Sequence, residues 1–164
     1  MPAPAIEELL ASRVARFVDR VPDWDAFADA RVEGFRRAQH RFIGSGASGK
    51  PDASAIPAEH FTLSVIFIPP GQGNALHTHE VEEVFFILAG KVLVFVEDGA
   101  GNRAETVLGP WDCVSCPADV LHGFQNVGLE PAYLQVMLGK GRPDLMTYKD
   151  EALQQRRGEH LALP

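Results

Sequence analysis

The spacing of apolar positions changes period along the chain, from helical to strand-like and back again. Ile6, Leu9, Leu10, Val14, Phe17 and Val18 recur at helical intervals, with Glu7 and Glu8 in the first turn. This predicts a helix over Ile6–Asp19, lying on the outside of the domain or on a partner chain. Pro22 ends it, and Asp23 or Asp25 can cap a short second helix to about Ala30. From Gly34 to Ile43 the pattern is extended, with Ala38, His40 and Phe42 on one face. Beyond His60, short apolar runs follow closely: Phe61–Ile68, Val84–Leu88, Lys91–Glu97, Ala104–Leu108, Asp112–Cys116, His122–Asn126 and Ala132–Leu138. Gly, Pro and Asn turns separate them, which predicts an all-β barrel or sandwich. Gly141-Arg142-Pro143-Asp144 closes it, and Leu145–Arg157 reads as helix with Gly158 as its stop.

Several of these strands are apolar on both faces, as in Val65-Ile66-Phe67-Ile68 and Val92-Leu93-Val94-Phe95. An antiparallel sheet with one wet face alternates instead. The outer face therefore needs a cover, either the N-terminal helix or a second subunit, and a homodimer is expected. The chain divides into an arm (1–44), a flexible linker (45–58), a barrel (59–140) and a C-terminal helix (141–164). A total of 164 residues suits one domain, and 46% apolar content excludes a disordered chain.

Charge narrows the partners. A net charge of −7 and a pI near 5.3 argue against a nucleic-acid surface. The basic clusters at Arg31–Arg41 and Lys140–Arg142 read as solvated surface. No apolar run approaches the roughly 20 residues that span a bilayer. The opening MPAPAIEELL lacks the basic and apolar regions of a secretory leader, so a cytoplasmic location is expected. Gly44–Lys50 matches a phosphate-loop pattern, but Pro51 stands where a magnesium-binding hydroxyl is needed and no helix pattern follows. Cys113 and Cys116 lie three apart on one predicted strand and so face opposite sides, which disfavours a disulfide.

Residues 71–90, GQGNALHTHEVEEVFFILAG, carry the chemistry. On a strand, His77 and His79 share a face with Cα atoms about 7 Å apart, close enough for both imidazoles to bind one ion at about 2.1 Å. Glu83 keeps the same parity but lies about 13 Å further along a straight strand. It joins them if the chain reverses at Glu80-Val81-Glu82. A second tight turn at Ala89-Gly90 then leads into Lys91–Glu97, so the local reading is two hairpins. His122 follows a Pro-initiated turn at the start of a later strand and offers a fourth ligand.

Gly71, His77, His79, Glu83 and Gly90 fit G-x5-H-x-H-x3-E-x6-G, which resembles the first motif of the cupin superfamily. Pro117, His122 and Asn126 resemble the second motif, G-x5-P-x-G-x2-H-x3-N, with Trp111 and Asp119 in place of its two glycines. The resemblance spans residues 71–126 and implies a small single-domain metal-binding cupin: a double-stranded β-helix, or jelly roll, with flanking helices. It also implies one divalent metal ion (Fe, Mn, Ni or Zn) on His77, His79, Glu83 and His122. Three neutral imidazoles and one carboxylate leave an octahedral ion two positions for a chelating, anionic or enolisable substrate. The expected activity is oxygenation of a small organic acid, enol or aromatic diol. Isomerisation, decarboxylation and ligand sensing without turnover are the alternatives. Glu83 is the candidate catalytic base. By parity, Phe85, Ile87 and Phe124 are expected to line the pocket, and Tyr133 and Gln135 share one face of the last strand, lining either the pocket or an interface.

Overall fold

The computed structural model describes residues 5–164. Its ten strands are β1 (Ala38–Ile43), β2 (Thr62–Ile68), β3 (His77–Thr78), β4 (Glu83–Ala89), β5 (Val92–Glu97), β6 (Arg103–Leu108), β7 (Cys113–Cys116), β8 (Leu121–Asn126), β9 (Ala132–Leu138) and β10 (Thr147–Tyr148). They form two five-stranded sheets, ordered β1-β2-β9-β4-β7 and β10-β3-β8-β5-β6. Every named strand pair is antiparallel. The all-β jelly roll expected from the sequence is the observed fold, and the predicted strands appear with nearly the same bounds.

The two local hairpins are absent. β3 pairs with β8 and β10, β4 with β7 and β9, and β5 with β6 and β8. The turns at 80–82 and 89–91 therefore carry the chain from one sheet to the other. Facing sheets stand about 10 Å apart, which a three-residue connection can cross. A turn sequence fixes that the chain reverses; the available ladder edges decide whether the strand returns alongside or opposite.

The interior is filled by residues of inward parity from both sheets. Ile66, Ile68, Phe85, Ile87, Leu134 and Leu138 face Val92, Val94 and Phe124, all buried. The four positions of the motifs where glycine is expected share a left-handed backbone: Gly71 (φ +77°), Gly90 (+92°), Trp111 (+75°) and Asp119 (+63°). The two departures thus keep the turn geometry, at the steric cost a Cβ carries there. Asn126 is a structural member, donating to the carbonyls of Ile68 (2.9 Å) and Glu130 (2.8 Å) and accepting from the Gly128 N–H (2.9 Å).

The flanking segments differ from expectation. The N-terminal helix, α1, covers only Ile6–Ala11, and none of its residues is buried. The outer face of β1, β2 and β9 is covered instead by side chains further along. Phe17 packs on His40 (5.0 Å between ring centroids) and Tyr133 (6.2 Å), and Trp24 packs on Phe67 (5.8 Å). The short second helix is one 3-10 turn, Ala28–Arg31. The first part of the expected linker is packed: Gly46, Ala47, Ser48 and Lys50 are buried, while residues 51–58 are exposed or half-buried. Ser48 Oγ accepts from Arg41 Nη2 (3.2 Å), and the His160 ring meets the Ser48 carbonyl at 2.6 Å. Small residues there serve close packing rather than flexibility. The C-terminal helix, α2, spans only Glu151–Gln155, with Asp150 accepting from the Leu153 N–H at its N-cap.

A buried ionic network ties the arm to the barrel. Asp29, fully buried, accepts from Arg37 Nη2 (2.9 Å), from the Tyr148 hydroxyl (3.1 Å) and from the Ala75 N–H (2.9 Å). Arg37 lies over the Phe27 ring at 4.4 Å. Phe27 and Met146 close the barrel at this end, beside the ligand residues.

Candidate metal centre

His77 and His122 sit directly opposite each other on β3 and β8, so their side chains leave the same sheet side by side. Glu83 begins β4 in the facing sheet, and His79 follows β3 by one residue. The sheet crossing at 80–82 is what turns Glu83 towards the imidazoles. One ligand atom from each of these four residues lies within 4.8 Å of every other, and all four side chains are buried.

Hydrogen bonds fix how each donor points. The His77 Nδ1 lies 2.8 Å from the Ala75 carbonyl, and His122 Nδ1 lies 2.7 Å from the Val120 carbonyl. A carbonyl only accepts, so both Nδ1 atoms carry the proton and both Nε2 atoms face the centre. Glu83 Oε2 stands 2.7 Å from His122 Nε2, 3.2 Å from His79 Nε2 and 3.5 Å from His77 Nε2. The His79 contact is close enough for Coulomb attraction but misaligned for a hydrogen bond, and both its ring nitrogens lack partners. A buried imidazole without a partner is costly unless something takes its lone pair.

Burial pushes the Glu83 carboxyl up, but the surrounding imidazoles, with His122 at hydrogen-bond distance, outweigh it and hold it well below the usual range. Burial, aided by its two neighbouring imidazoles, lowers His77 and keeps its ring neutral. Burial acts the same way on His122, but the Glu83 hydrogen bond and charge override it and raise that group. An anionic carboxylate among buried, unpartnered or pre-oriented imidazole nitrogens fits a divalent cation. Cys116, opposite Glu83 on β7, is neutral: burial first, then the Glu83 charge, pushes its thiol up to about 12.

The other expected pocket residues separate into two groups. Phe85, Ile87 and Phe124 point inward and are buried, with Phe85 5.8 Å from the His122 ring and 5.2 Å from Phe124. Tyr133 and Gln135 face outward and do not line the pocket. Their register partners are Phe67 and Val65, and it is the alternate residues Leu134 and Val136 that fill the interior. His40, which shares this outer face, is lowered by burial and bonded to the Val65 carbonyl at 3.2 Å, away from the centre.

Sequence reasoning missed the polar side of the site. A cavity of about 20 Å³ lies beside His77 and Glu83; Arg37, Gln39, Ser64 and Asn74 form its polar wall, and apolar side chains such as Phe85, Phe124 and Met146 complete it. Its volume is room for about one water molecule. Gln39 is buried; its Nε2 donates to Ser45 O (3.2 Å) and Ser64 Oγ (3.4 Å), and its Oε1 has no partner. The signal was the alternation of Arg37, Gln39 and Arg41 with Ala38, His40 and Phe42, where the polar set is the inward one.

The family model described as "Cupin domain" matches residues 64–138. No curated protein sequence matches the chain. Among solved structures, Lactobacillus farciminis oxalate decarboxylase in its formate complex aligns at 20% identity, covering 77% of this chain and 32% of its own, with a TM-score of 0.58. A deletion mutant of the Bacillus subtilis oxalate decarboxylase aligns at 18% identity over 82% and 31%, TM-score 0.60. An oxalate oxidase in complex with the substrate analogue glycolate aligns at 20% over 55% and 46%, TM-score 0.51. The chain spans about a third of the length of those decarboxylases, and at these identities the likeness is one of fold. With both motifs in place, their turn positions in left-handed backbone and the ligand residues gathered between two sheets, residues 64–138 match the cupin domain model and the fold is cupin-like.

Proposed function

We propose that the protein is a metal-dependent cupin enzyme that oxygenates a small chelating organic acid, enol or aromatic diol. The convergence of His77, His79, Glu83 and His122 on one buried point carries this reading. A divalent ion held there supplies Lewis-acid polarisation of a chelating substrate and, if iron, redox access to dioxygen. The chain's own residues do the rest. The Ala75 and Val120 carbonyls hold two imidazoles in the binding tautomer. Phe85, Ile87 and Phe124 exclude water, which strengthens every charge interaction inside. Gln39 offers an unpaired oxygen to a ligand on the far side of His77 and Glu83. Glu83 acts as ligand; it takes a proton from substrate only by leaving its imidazole contacts, because they hold its carboxyl acidic.

Elemental analysis of protein purified without added metal, followed by oxygen uptake of the iron form with catechols, keto acids and thiols, tests this reading. Uptake with any of these classes is expected. Zinc alone and no uptake would refute oxygenation, and carbon dioxide release without uptake would assign a decarboxylase. We also propose a homodimer, supported by the apolar arm residues Ile6, Leu10, Val18 and Val21, each more than half exposed. Light scattering that shows a monomer at micromolar concentration would remove it. Among the described residues, no helix is long and apolar enough to cross a membrane.

A further inference from the structure

The two sheets do not close evenly around the metal centre. The arm and Met146 seal one end, while the other sides of the sheets finish in β6 and β7. Between those edge strands lies a cleft of about 260 Å³. Its inward-facing walls are Val94, Val96, Ala104, Thr106, Val114 and Cys116. None is charged, and the one acidic neighbour, Glu105, pairs with Phe95 and shares its outward parity. Register ties this cleft to the ligands: Val96 stands opposite His122 on β5 and β8, and Cys116 opposite Glu83 on β4 and β7. Directly opposed side chains lie about 5 Å apart at Cβ on the same face, so the cleft begins one strand away from the centre on both sheets. A larger open depression of about 590 Å³ shares Val96 and Ala104 with it and connects it to solvent.

We infer that this cleft holds the apolar body of the substrate while a chelating head occupies the metal centre. The inference rests on the metal-centre reading above and narrows its substrate class. The cavity beyond His77 accepts little more than a water-sized group, whereas the cleft towards β6 and β7 has room for more bulk. A volume of 260 Å³ lies just below the roughly 300–1,000 Å³ of ordinary ligand pockets and suits one ring or a short branched chain. Uncharged walls give a bare dicarboxylate nothing to bind there. Aryl- or alkyl-bearing hydroxy acids, keto acids and diols fit both halves.

Acetohydroxamate and benzohydroxamate share one chelating head and differ only in the body. Titrated by calorimetry into the full-length protein loaded with zinc, the phenyl compound is expected to bind at least about tenfold tighter. Ala104→Trp, on an exposed edge strand, should abolish that advantage and leave acetohydroxamate affinity within about twofold. Thr106→Phe repeats the test if circular dichroism shows the first variant unfolded. Equal affinities in the wild type, or an advantage that survives the folded variants, overturns the cleft. So does light scattering in which filling the cleft splits a dimer, because a second copy then covers it. Failure to retain zinc together with no binding of either hydroxamate overturns the metal-centre reading instead.

Discussion

Asp29→Asn offers a direct test of how the arm supports the site. Asp29 and Arg37 are 0% and 2% exposed at the side chain, and the carboxylate accepts three hydrogen bonds. The amide is nearly isosteric, so packing is kept while the charge is lost. Arg37 then retains only neutral acceptors, the carbonyls of Phe35 (3.0 Å) and Gly73 (3.4 Å). Stranding one partner of a buried ion pair costs about 3–5 kcal/mol, a large share of a native stability of about 5–15 kcal/mol. For a chain of this size that corresponds to a fall in Tm of about 6–20 °C. Because the Ala75 N–H bonds Asp29 and the Ala75 carbonyl orients His77, metal affinity should also drop, by up to about tenfold. Urea unfolding followed by circular dichroism measures the first effect, and competition with a chelator measures the second. Arg37→Met alone leaves Asp29 charged and should cost a similar amount. The double variant removes both charges and should recover about 2 kcal/mol or more relative to the sum. A single-variant cost below about 1 kcal/mol, or simple additivity, would show that the pair is not the strut that its burial implies.

Three further outcomes are expected. His77→Ala or His122→Ala should each lose most bound metal while near-native circular dichroism persists; full occupancy in both variants would contradict the ligand assignment. Iodoacetamide should alkylate exposed Cys113 in the native protein and reach Cys116 only after denaturation, because Cys116 is buried and its thiol is pushed up to about 12; equal labelling in a native digest by mass spectrometry contradicts this. Burial raises the Asp23 carboxyl, but Arg41 at 2.7 Å, the Asp25 N–H and Lys50 at 3.2 Å outweigh it and lower it overall. A folded-state pKa below the unfolded one means stabilisation that is present at neutral pH and drains away as pH falls below about 4. Asp23→Asn should therefore cost about 1–2 kcal/mol at pH 7 in denaturant titrations and progressively less towards pH 3, and a gap that widens on acidification refutes the sign.

Much of the site was legible because its information is local. Two histidines at spacing two, a glutamate four further on and a histidine after Pro117 are identities, and identities decide what can bind a cation. The strands from Thr62 to Leu138 were legible for the same reason: runs of β-branched and aromatic residues between Gly, Pro and Asn turns leave little else for the backbone to do. The left-handed turns at Trp111 and Asp119 were legible only as positions in a motif, since neither residue type demands that backbone.

The sequence by itself determined the ligand set, the strands and the jelly-roll class. Only the tertiary structure decided which strand faces which. Period-two patterning says that two faces exist but does not label them, so Tyr133 and Gln135 fell outside while Gln39 and Arg37 fell inside. The same holds for the turns at 80–82 and 89–91, which reverse the chain whether it returns in its own sheet or crosses to the other. That choice belongs to ladder edges supplied by residues 30 to 60 positions away, such as β8 and β9. It is the choice that carries Glu83 across to the imidazoles and leaves the cleft between β6 and β7.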